Sequence, residues 1–183
     1  MQEAKQNDVK RFLRFVITLA VICLVVGALM GLVNHVTEPK IAAQNEAAKT
    51  ESLRRLFPAG TEFRPLQGAT EQGLDAVYAV YENEVYIGYV GQATVSGSQG
   101  LLDVIAGVGA NGVLTGIVVG PTKFSETSNI GSKTKDADFT EQFIGLALPA
   151  EAGVNVDTVS GATISSKAVL KAVNLIGAFE PLP

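Results

Sequence analysis

The segment from residue 157 to residue 166 places a hydroxyl group where a turn becomes a helix. Ser160, Gly161 and Ala162 are small residues that lead into Thr163, and an apolar pattern with helical spacing begins directly after it. The first backbone N–H groups of such a helix have no internal partners and carry the positive end of the helix dipole. A phosphate attached to Thr163, or resting on it, is therefore favoured, and the small neighbours leave room for it.

The same residues also allow simpler explanations. The segment is equally an ordinary turn in which Ser160 or Thr163 caps the following helix. Hydrolase chemistry is excluded, because Gly-Ala-Thr is not a nucleophile elbow of the Gly-x-Ser-x-Gly type and no histidine is available as a base, since the single one, His35, is expected at the membrane boundary.

The composition limits the other kinds of site. Cys23 is the only cysteine, so the chain has no intrachain disulfide and no cysteine-based iron–sulfur or zinc cluster, and we predict no metal site. His35 lies at the expected membrane boundary, where an interfacial polar residue is the simpler explanation. The formal net charge is −4, and four basic residues precede the apolar segment, so the remainder is more acidic still. An acidic surface argues against nucleic-acid binding.

A transmembrane helix is predicted over residues 15–36. Residues 15–33 carry no charged side chain, and at 1.5 Å per residue they span roughly 28 Å, close to the thickness of a bilayer's hydrocarbon core. A cleaved signal peptide is the competing interpretation, but the apolar run is long for one and no A-x-A-like site closes it. Residues 1–14 are predicted to be cytoplasmic and the domain extracytoplasmic, because basic residues cluster before the span: Lys5, Lys10, Arg11 and Arg14.

Residues 37–74 are predicted to form a juxtamembrane helix followed by a connector. Glu38 to Phe57 has apolar residues at roughly helical spacing, and Pro58-Ala59-Gly60 is expected to end that helix. Residues 58–74 show no sustained period, which indicates an irregular connector before a domain that spans residues 75–183.

Two hairpins are predicted in that domain. Residues 76–81 and 84–90 are β-branched and aromatic runs separated by Glu82-Asn83. Residues 101–108 and 113–119 flank Gly109-Ala110-Asn111-Gly112, in which Asn-Gly suits a tight turn. The Gly/Ser/Gln/Thr-rich residues 91–100 are expected to form a loop between the hairpins.

Two helices are predicted after a long polar segment, Pro121 to Lys135. The first is capped by Asp136 and has its apolar positions at Phe139, Phe143, Leu146 and Ala147. The last runs from about Ser165 to Phe179. Because strands and helices are segregated and the strands join as hairpins, the domain is predicted to be α+β with a mainly antiparallel sheet and packed helices.

A family resemblance gives residues 157–166 a more specific interpretation. Asp157-x-x-Ser160-Gly161-Ala162-Thr163-x-Ser165 resembles the flavinylation motif of the FMN-binding family that includes the G subunit of the Rnf electron-transport complex and the C subunit of the sodium-translocating NADH:quinone oxidoreductase. Residues 126–131, Glu-Thr-Ser-Asn-Ile-Gly, resemble the family's Glu-Thr-Pro-Gly-Leu-Gly loop. Asn129 stands where that loop has glycine, and it tolerates left-handed backbone angles. Gly97 to Gly100 is similar to a glycine-rich segment of the family, without its aromatic residue.

The resemblance implies FMN joined covalently by a phosphoester to the Thr163 hydroxyl by a separate flavin transferase. Ser160, Gly161 and Ala162 would leave room for the phosphate, Lys167 would help to hold it, and Glu126 and Thr127 would hydrogen-bond the flavin or shape its pocket. Lys167 is otherwise explained as a solvated helix lysine.

It further implies an electron-transfer subunit of a membrane-bound Rnf-type ion-translocating ferredoxin:NAD oxidoreductase in the plasma membrane. The chain would have no complete active site of its own, and its partners would be other membrane subunits of the complex, the flavin transferase and membrane lipid. The alternatives are the C subunit of the sodium pump and a membrane-anchored binding or assembly module without a covalent cofactor.

Overall fold

The computed structural model describes the backbone of residues 2–180 and the side chains of residues 11–180. Two of the four basic residues predicted to face the cytoplasm, Lys5 and Lys10, have side chains outside that range. The chain divides between Gln44 and Asn45 into two compact units.

The apolar segment and the predicted juxtamembrane helix form one continuous helix, α1, from Gln2 to Leu56. The sequence had indicated two helices, but Pro39 lies inside α1 and does not end it. A proline has no backbone N–H and so removes one hydrogen bond from the helix, and the bonds before and after Pro39 keep the helix continuous. From Arg11 onwards α1 is long and apolar enough to cross a membrane, and the side chains of its apolar stretch are exposed.

The second unit contains a five-stranded, entirely antiparallel sheet. Its strands are β1 (Glu62–Pro65), β2 (Ala76–Glu82), β3 (Val85–Ser96), β4 (Leu101–Gly109) and β5 (Leu114–Phe124), and each strand pairs with the next in chain order. The remaining helices are α2 (Ala137–Thr140) and α3 (Thr163–Gly177), with short 3₁₀ turns at Thr70–Gln72, Gly131–Lys135 and Glu141–Phe143. The predicted α+β class with an antiparallel sheet is confirmed.

Both predicted hairpins are present. In the first, Asn83 and Glu84 connect β2 to β3 and both have positive φ angles, 48° and 70°, as a two-residue turn with the twist of the sheet requires. In the second, Gly112 has a φ of 77°, and the Asn111 side chain accepts a hydrogen bond from the Val113 N–H at 3.2 Å. Gly112 therefore takes the positive φ that suited the Asn-Gly pair, whereas Asn111 does not and contributes through its side chain.

The two faces of the sheet are covered by different helices. Because side chains alternate along a strand, Val104 and Ala106 of β4 face one side and Ile105 faces the other. The first side packs against the apolar face of α3, including Val173 and Ile176. On the second side a separate cluster joins the end of α1 to the sheet: Leu53, Leu56, Phe57, Val80, Val90 and Ile105.

Three segments differ from the sequence-based expectation. Residues 58–74 are not wholly irregular, because Glu62–Pro65 pairs with β2 as an edge strand. Residues 91–96, expected in a loop, continue β3. The polar segment expected from Pro121 begins as strand, since β5 extends to Phe124.

The predicted helix through Ala147 is also much shorter than expected. α2 ends at Thr140, a 3₁₀ turn follows to Phe143, and Asp136 makes no side-chain capping bond. Gly145 has a φ of 75°, and its neighbour Leu146 accepts a hydrogen bond from the Leu114 N–H at 2.9 Å. The chain at Leu146 therefore pairs with the start of β5 instead of continuing as a helix. Phe139 and Phe143 are buried, as expected.

Candidate functional site

Thr163 is the first residue of α3, and its side chain is exposed. The residue before it, Ala162, occupies the N-cap position and has no side chain that can accept a hydrogen bond from the helix. Neither Ser160 nor Thr163 makes a side-chain hydrogen bond among residues 11–180, so the capping explanation of this segment is wrong. The first N–H groups of α3 remain available to an anion beside the Thr163 hydroxyl.

The turn before α3 is fixed by a buried serine. Ser166 Oγ accepts a hydrogen bond from the Val159 N–H and donates one to the Ala162 carbonyl, both at 3.0 Å. Gly161, between them, has a φ of 78°, a conformation that glycine adopts without steric cost. The turn therefore presents Thr163 at the surface without using the threonine hydroxyl itself.

A side-chain amide holds the start of the same segment. Gln142 accepts a hydrogen bond from the Asp157 N–H at 2.7 Å and donates one to the Asp157 carbonyl at 3.3 Å, as a neighbouring strand would. Together with Ser166, Gln142 gives the segment before Thr163 a defined path across the surface.

Glu126 links the two other predicted segments. Its Oε1 accepts a hydrogen bond from the Ser98 N–H at 2.7 Å, and its Oε2 accepts one from Ser165 Oγ at 2.8 Å. Ser98 belongs to the glycine-rich turn between β3 and β4, and Ser165 lies in the first turn of α3 with only 1% of its surface exposed. One carboxylate thus joins the turn to the helix that carries Thr163.

The loop after Glu126 has the backbone shape that the sequence suggested. Asn129 has a φ of 64°, and its N–H donates to Ser132 Oγ at 2.9 Å. The Thr127 carbonyl accepts hydrogen bonds from the Ile130 and Ser132 N–H groups. Asparagine therefore occupies a left-handed position there, as expected.

These segments surround a cavity of about 280 Å³. Its lining residues come from the glycine-rich turn, the 126–131 loop and the start of α3: Ser98, Glu126, Thr127, Ile130, Gly131, Gly161, Ala162, Thr163, Ile164 and Ser165. The structure thus brings together five of the predicted site residues. Ser160 and Lys167 are exposed and do not line the cavity, although Lys167 follows Thr163 by four residues and shares its side of the helix.

Three contributors were not predicted: Ser98, Ser165 and Gln142. Ser98 acts through its backbone N–H, which every residue type except proline offers, so its identity gave no signal. Ser165 belonged to the motif but was given no role. Gln142 is remote in sequence from the segment it holds, and no local pattern connects the two.

The chemistry available at the cavity is anion binding and attachment through a hydroxyl. An uncapped helix N-terminus favours a phosphate, and the adjoining cavity is close to the lower end of the roughly 300–1,000 Å³ range of ligand pockets. Within the part of the chain that the structure describes, no group of three or more His, Cys, Asp or Glu side chains could hold a metal ion. The residues present therefore fit a phosphorylated organic group.

Comparisons with known proteins give two family matches. Residues 97–176 match the FMN-binding domain family, and residues 1–56 match the RnfG N-terminal region. The FMN-binding match contains all three segments that surround the cavity.

Several relatives are similar over nearly their whole length. The G subunit of an ion-translocating oxidoreductase complex from Methanosarcina acetivorans is 28% identical, over 92% of this chain and 94% of that protein. The G subunit of the Na(+)-translocating ferredoxin:NAD(+) oxidoreductase complex of Acetobacterium woodii is 28% identical, over 95% and 94%. The G subunit of an ion-translocating oxidoreductase complex from Pseudomonas aeruginosa is 30% identical, over 90% and 86%.

Among solved structures, the C subunit of the Na(+)-translocating NADH-quinone reductase from Parabacteroides distasonis superimposes with a TM-score of 0.47 at 22% identity, covering 61% of this chain and 63% of that one.

Proposed function

The chain belongs to the family of G subunits of ion-translocating oxidoreductase complexes, and on this basis we propose that it is the FMN-carrying electron-transfer subunit of a ferredoxin:NAD oxidoreductase of the Rnf type. The FMN-binding match over residues 97–176 supports the cofactor. The relative from Acetobacterium woodii supports the reaction of the complex by its name. When bound, FMN supplies the redox chemistry, because its isoalloxazine ring accepts and donates electrons.

The observation that carries this proposal is the position of Thr163. Its exposed hydroxyl lies at the uncapped N-terminus of α3 and lines a cavity of about 280 Å³. We propose that the FMN phosphate is joined to this hydroxyl as a phosphoester, with the first N–H groups of α3 stabilising its negative charge. The donor is a flavin dinucleotide: the Thr163 oxygen attacks the phosphorus of its FMN half, the pyrophosphate bond breaks, a nucleoside monophosphate leaves, and the hydroxyl proton passes to a base of the transferase or to water. Lys167, one turn further along the same side of α3, adds a positive charge there. A covalent link prevents loss of the cofactor outside the cytoplasm.

The helix α1 is proposed to anchor the chain in the plasma membrane. Its apolar stretch is long enough to cross a bilayer, and the basic residues before that stretch favour a cytoplasmic N-terminus, so residues 75–183 would lie outside the cytoplasm. The proposed partners are the other membrane subunits of the complex, membrane lipid and the flavin transferase that attaches FMN. Protease added to intact spheroplasts should then degrade the C-terminal unit.

The function is tested by co-expressing the full-length chain with a flavin transferase. A fluorescent band should survive denaturing gel electrophoresis, and the intact mass should rise by one FMN less one water. Thr163→Ala should lose both signals. Thr158→Ala, a threonine change in the same segment, should keep both signals.

Two results would oppose the proposal. A fluorescent band that persists in Thr163→Ala would refute the attachment site. An unmodified mass in natively expressed protein would instead favour the alternative, a membrane-anchored binding or assembly module without a covalent cofactor.

A further inference from the structure

We propose that Glu126 is a positioning residue that sets Thr163 for FMN attachment by joining the glycine-rich turn to the first turn of α3. This inference rests on the proposed attachment of FMN to Thr163. It assigns Glu126 a role that acts through Ser98 and Ser165.

Both oxygens of the Glu126 carboxylate are bonded to protein groups. Oε1 accepts a hydrogen bond from the Ser98 N–H at 2.7 Å and Oε2 accepts one from Ser165 Oγ at 2.8 Å. Both distances are those of strong, charge-assisted bonds. An ionised carboxylate has no proton to donate, and its charge repels a phosphate. Glu126 is therefore suited to hold the walls of the cavity and unsuited to bind the phosphate directly.

Two glycines leave the space that the Glu126 side chain occupies. A Cβ added to Gly97 would overlap Oε1 of Glu126, and one added to Gly131 would lie 2.8 Å from the Glu126 Cβ. Real Cβ atoms do not come that close to other atoms without a shift of one of them. The two glycines thus leave the carboxylate one well-defined place between the turn and the helix.

The hydrogen bond from Ser165 to Glu126 lies close to Thr163 along α3. Ser165 is two residues after Thr163, within the same first turn of α3, and its side chain is almost fully buried. Its bond to Oε2 fixes how this turn lies against the Ser98 turn. Because a shift of about 1 Å at a reacting group can lower a rate by roughly 100-fold, loss of this link should slow the reaction of the Thr163 hydroxyl.

The test separates the span of the side chain from its charge. Glu126→Gln keeps the length, because its amide oxygen can accept from the Ser98 N–H and its NH₂ group can donate to Ser165 Oγ. Glu126→Asp keeps the charge but is one methylene shorter, so it cannot reach both partners. Ser165→Ala removes one link without touching Glu126.

The measurement is the initial rate of FMN attachment to the full-length chain by flavin transferase, with a saturating flavin dinucleotide as donor and at several chain concentrations, and a thermal melt of each unmodified variant. Glu126→Gln should keep a rate within about threefold of wild type, whereas Glu126→Asp should lose at least about tenfold, in kcat rather than KM. Ser165→Ala should show a similar loss, and the double variant Glu126→Asp/Ser165→Ala should lose little more, because both changes break the same link.

The outcomes distinguish this inference from the proposed function. If wild type takes up no FMN, the proposed function fails and this inference fails with it. If wild type is modified and Glu126→Asp and Ser165→Ala match its rate, only the positioning role is overturned. A tenfold loss in Glu126→Gln with normal melting would also overturn it, in favour of the charge itself. Should Glu126→Asp not fold, Ser165→Ala alone decides, since alanine is well tolerated in a helix.

Discussion

At the scale of single residues, the cavity beside Thr163 depends as much on absent side chains as on present ones. Glu126 reaches its two partners only because Gly97 and Gly131 leave space on either side of it. Ala162 leaves the N-terminus of α3 uncapped, because its methyl side chain cannot accept a hydrogen bond from the first N–H groups of the helix. Adding one methyl group at a chosen position therefore tests the arrangement.

Gly97→Ala is predicted to reduce FMN attachment strongly. The added Cβ would overlap Oε1 of Glu126 and lie 2.7 Å from Leu102 Cδ2, so the carboxylate must leave its place or the turn must open. Overpacking of this kind costs about 1–3 kcal/mol of folding free energy. In-gel flavin fluorescence and a thermal melt measure the two effects.

Gln99→Ala is the matched control, since Gln99 is an exposed residue of the same turn. It should leave both the fluorescence and the melt unchanged. Equal fluorescence in Gly97→Ala and wild type would show that the position of the carboxylate does not matter.

The sequence was informative about the site where a residue type has a special property. Asn129 was expected to accept a left-handed conformation, and it does. The small residues before Thr163, with the apolar pattern after it, correctly indicated a hydroxyl at the start of a helix. Ser98 and Gln142 were not found, because a backbone N–H and a long-range amide pairing leave no local pattern in the sequence.

At the scale of elements, the packing of α3 on β3 explains why residues 91–96 of the sheet were predicted to form a loop. Residues 91–96 contain glycine, alanine and threonine, which suggested a loop. In the structure Gly91 and Ala93 are buried residues of β3 on the side that faces α3. A close-packed helix selects small residues on the strand beneath it, and this reason lies in tertiary packing rather than in local preference. The hairpins were predictable because their turns are local.

Gly91→Ala is predicted to destabilise the sheet–helix packing by about 1–3 kcal/mol. The new Cβ would lie 2.6 Å from Ile176 Cγ2 in a fully buried contact. Ile176→Ala alone should cost about 2–5 kcal/mol. Urea unfolding followed by tyrosine fluorescence measures both, because the chain has no tryptophan and all four tyrosines lie in β2 and β3.

The double variant Gly91→Ala/Ile176→Ala should lose less free energy of unfolding than the sum of the single losses, because the shortened side chain makes room for the methyl group. Strict additivity would mean that the strain at Gly91 comes from somewhere other than Ile176.

Tyr89 makes the packing between β3 and α3 depend on pH. Its hydroxyl donates to the Ile176 carbonyl at 3.0 Å, and burial, with a smaller contribution from Tyr86, raises the pKa of Tyr89 to about 12. Below pH 10 the tyrosine is protonated in both the folded and the unfolded chain, and its contribution to stability is complete. As the pH rises from 10 towards 12 only the unfolded chain loses the proton, so that contribution is lost.

Tyr89→Phe should therefore cost about 1 kcal/mol near neutral pH through the lost hydrogen bond and should lose less stability than wild type between pH 10 and pH 12. Urea unfolding at a series of pH values provides the comparison. Parallel pH profiles for the two proteins would exclude Tyr89 as the responsible group.

At the scale of the whole molecule, the chain separates a membrane-compatible helix from a self-contained folded unit, and the boundary between them falls inside α1. The residues up to Gln44 form one compact unit, whereas the last turns of α1 belong to the unit that begins at Asn45. Leu53, Leu56 and Phe57 are buried there. The division between these two units is therefore set by burial rather than by the end of a helix, and local sequence patterns carry no record of burial between residues distant in the chain.

A chain of residues 45–183 is predicted to fold, remain soluble and accept FMN, whereas a chain of residues 58–183 is not. The longer fragment keeps Leu53, Leu56 and Phe57 over Val80 and Ile105 of the sheet. Burying each such side chain is worth about 1.5–3 kcal/mol, so removing the three costs about as much as the whole stability of an ordinary domain, about 5–15 kcal/mol. Size-exclusion chromatography, urea unfolding and in-gel flavin fluorescence with the transferase measure the three properties.

Phe57→Ala in residues 45–183 removes only one of the three buried side chains and should cost about 3–5 kcal/mol of the free energy of unfolding. If residues 58–183 fold and take up FMN as well as residues 45–183 do, the end of α1 is dispensable to the domain, and its burial against the sheet contributes nothing to the site.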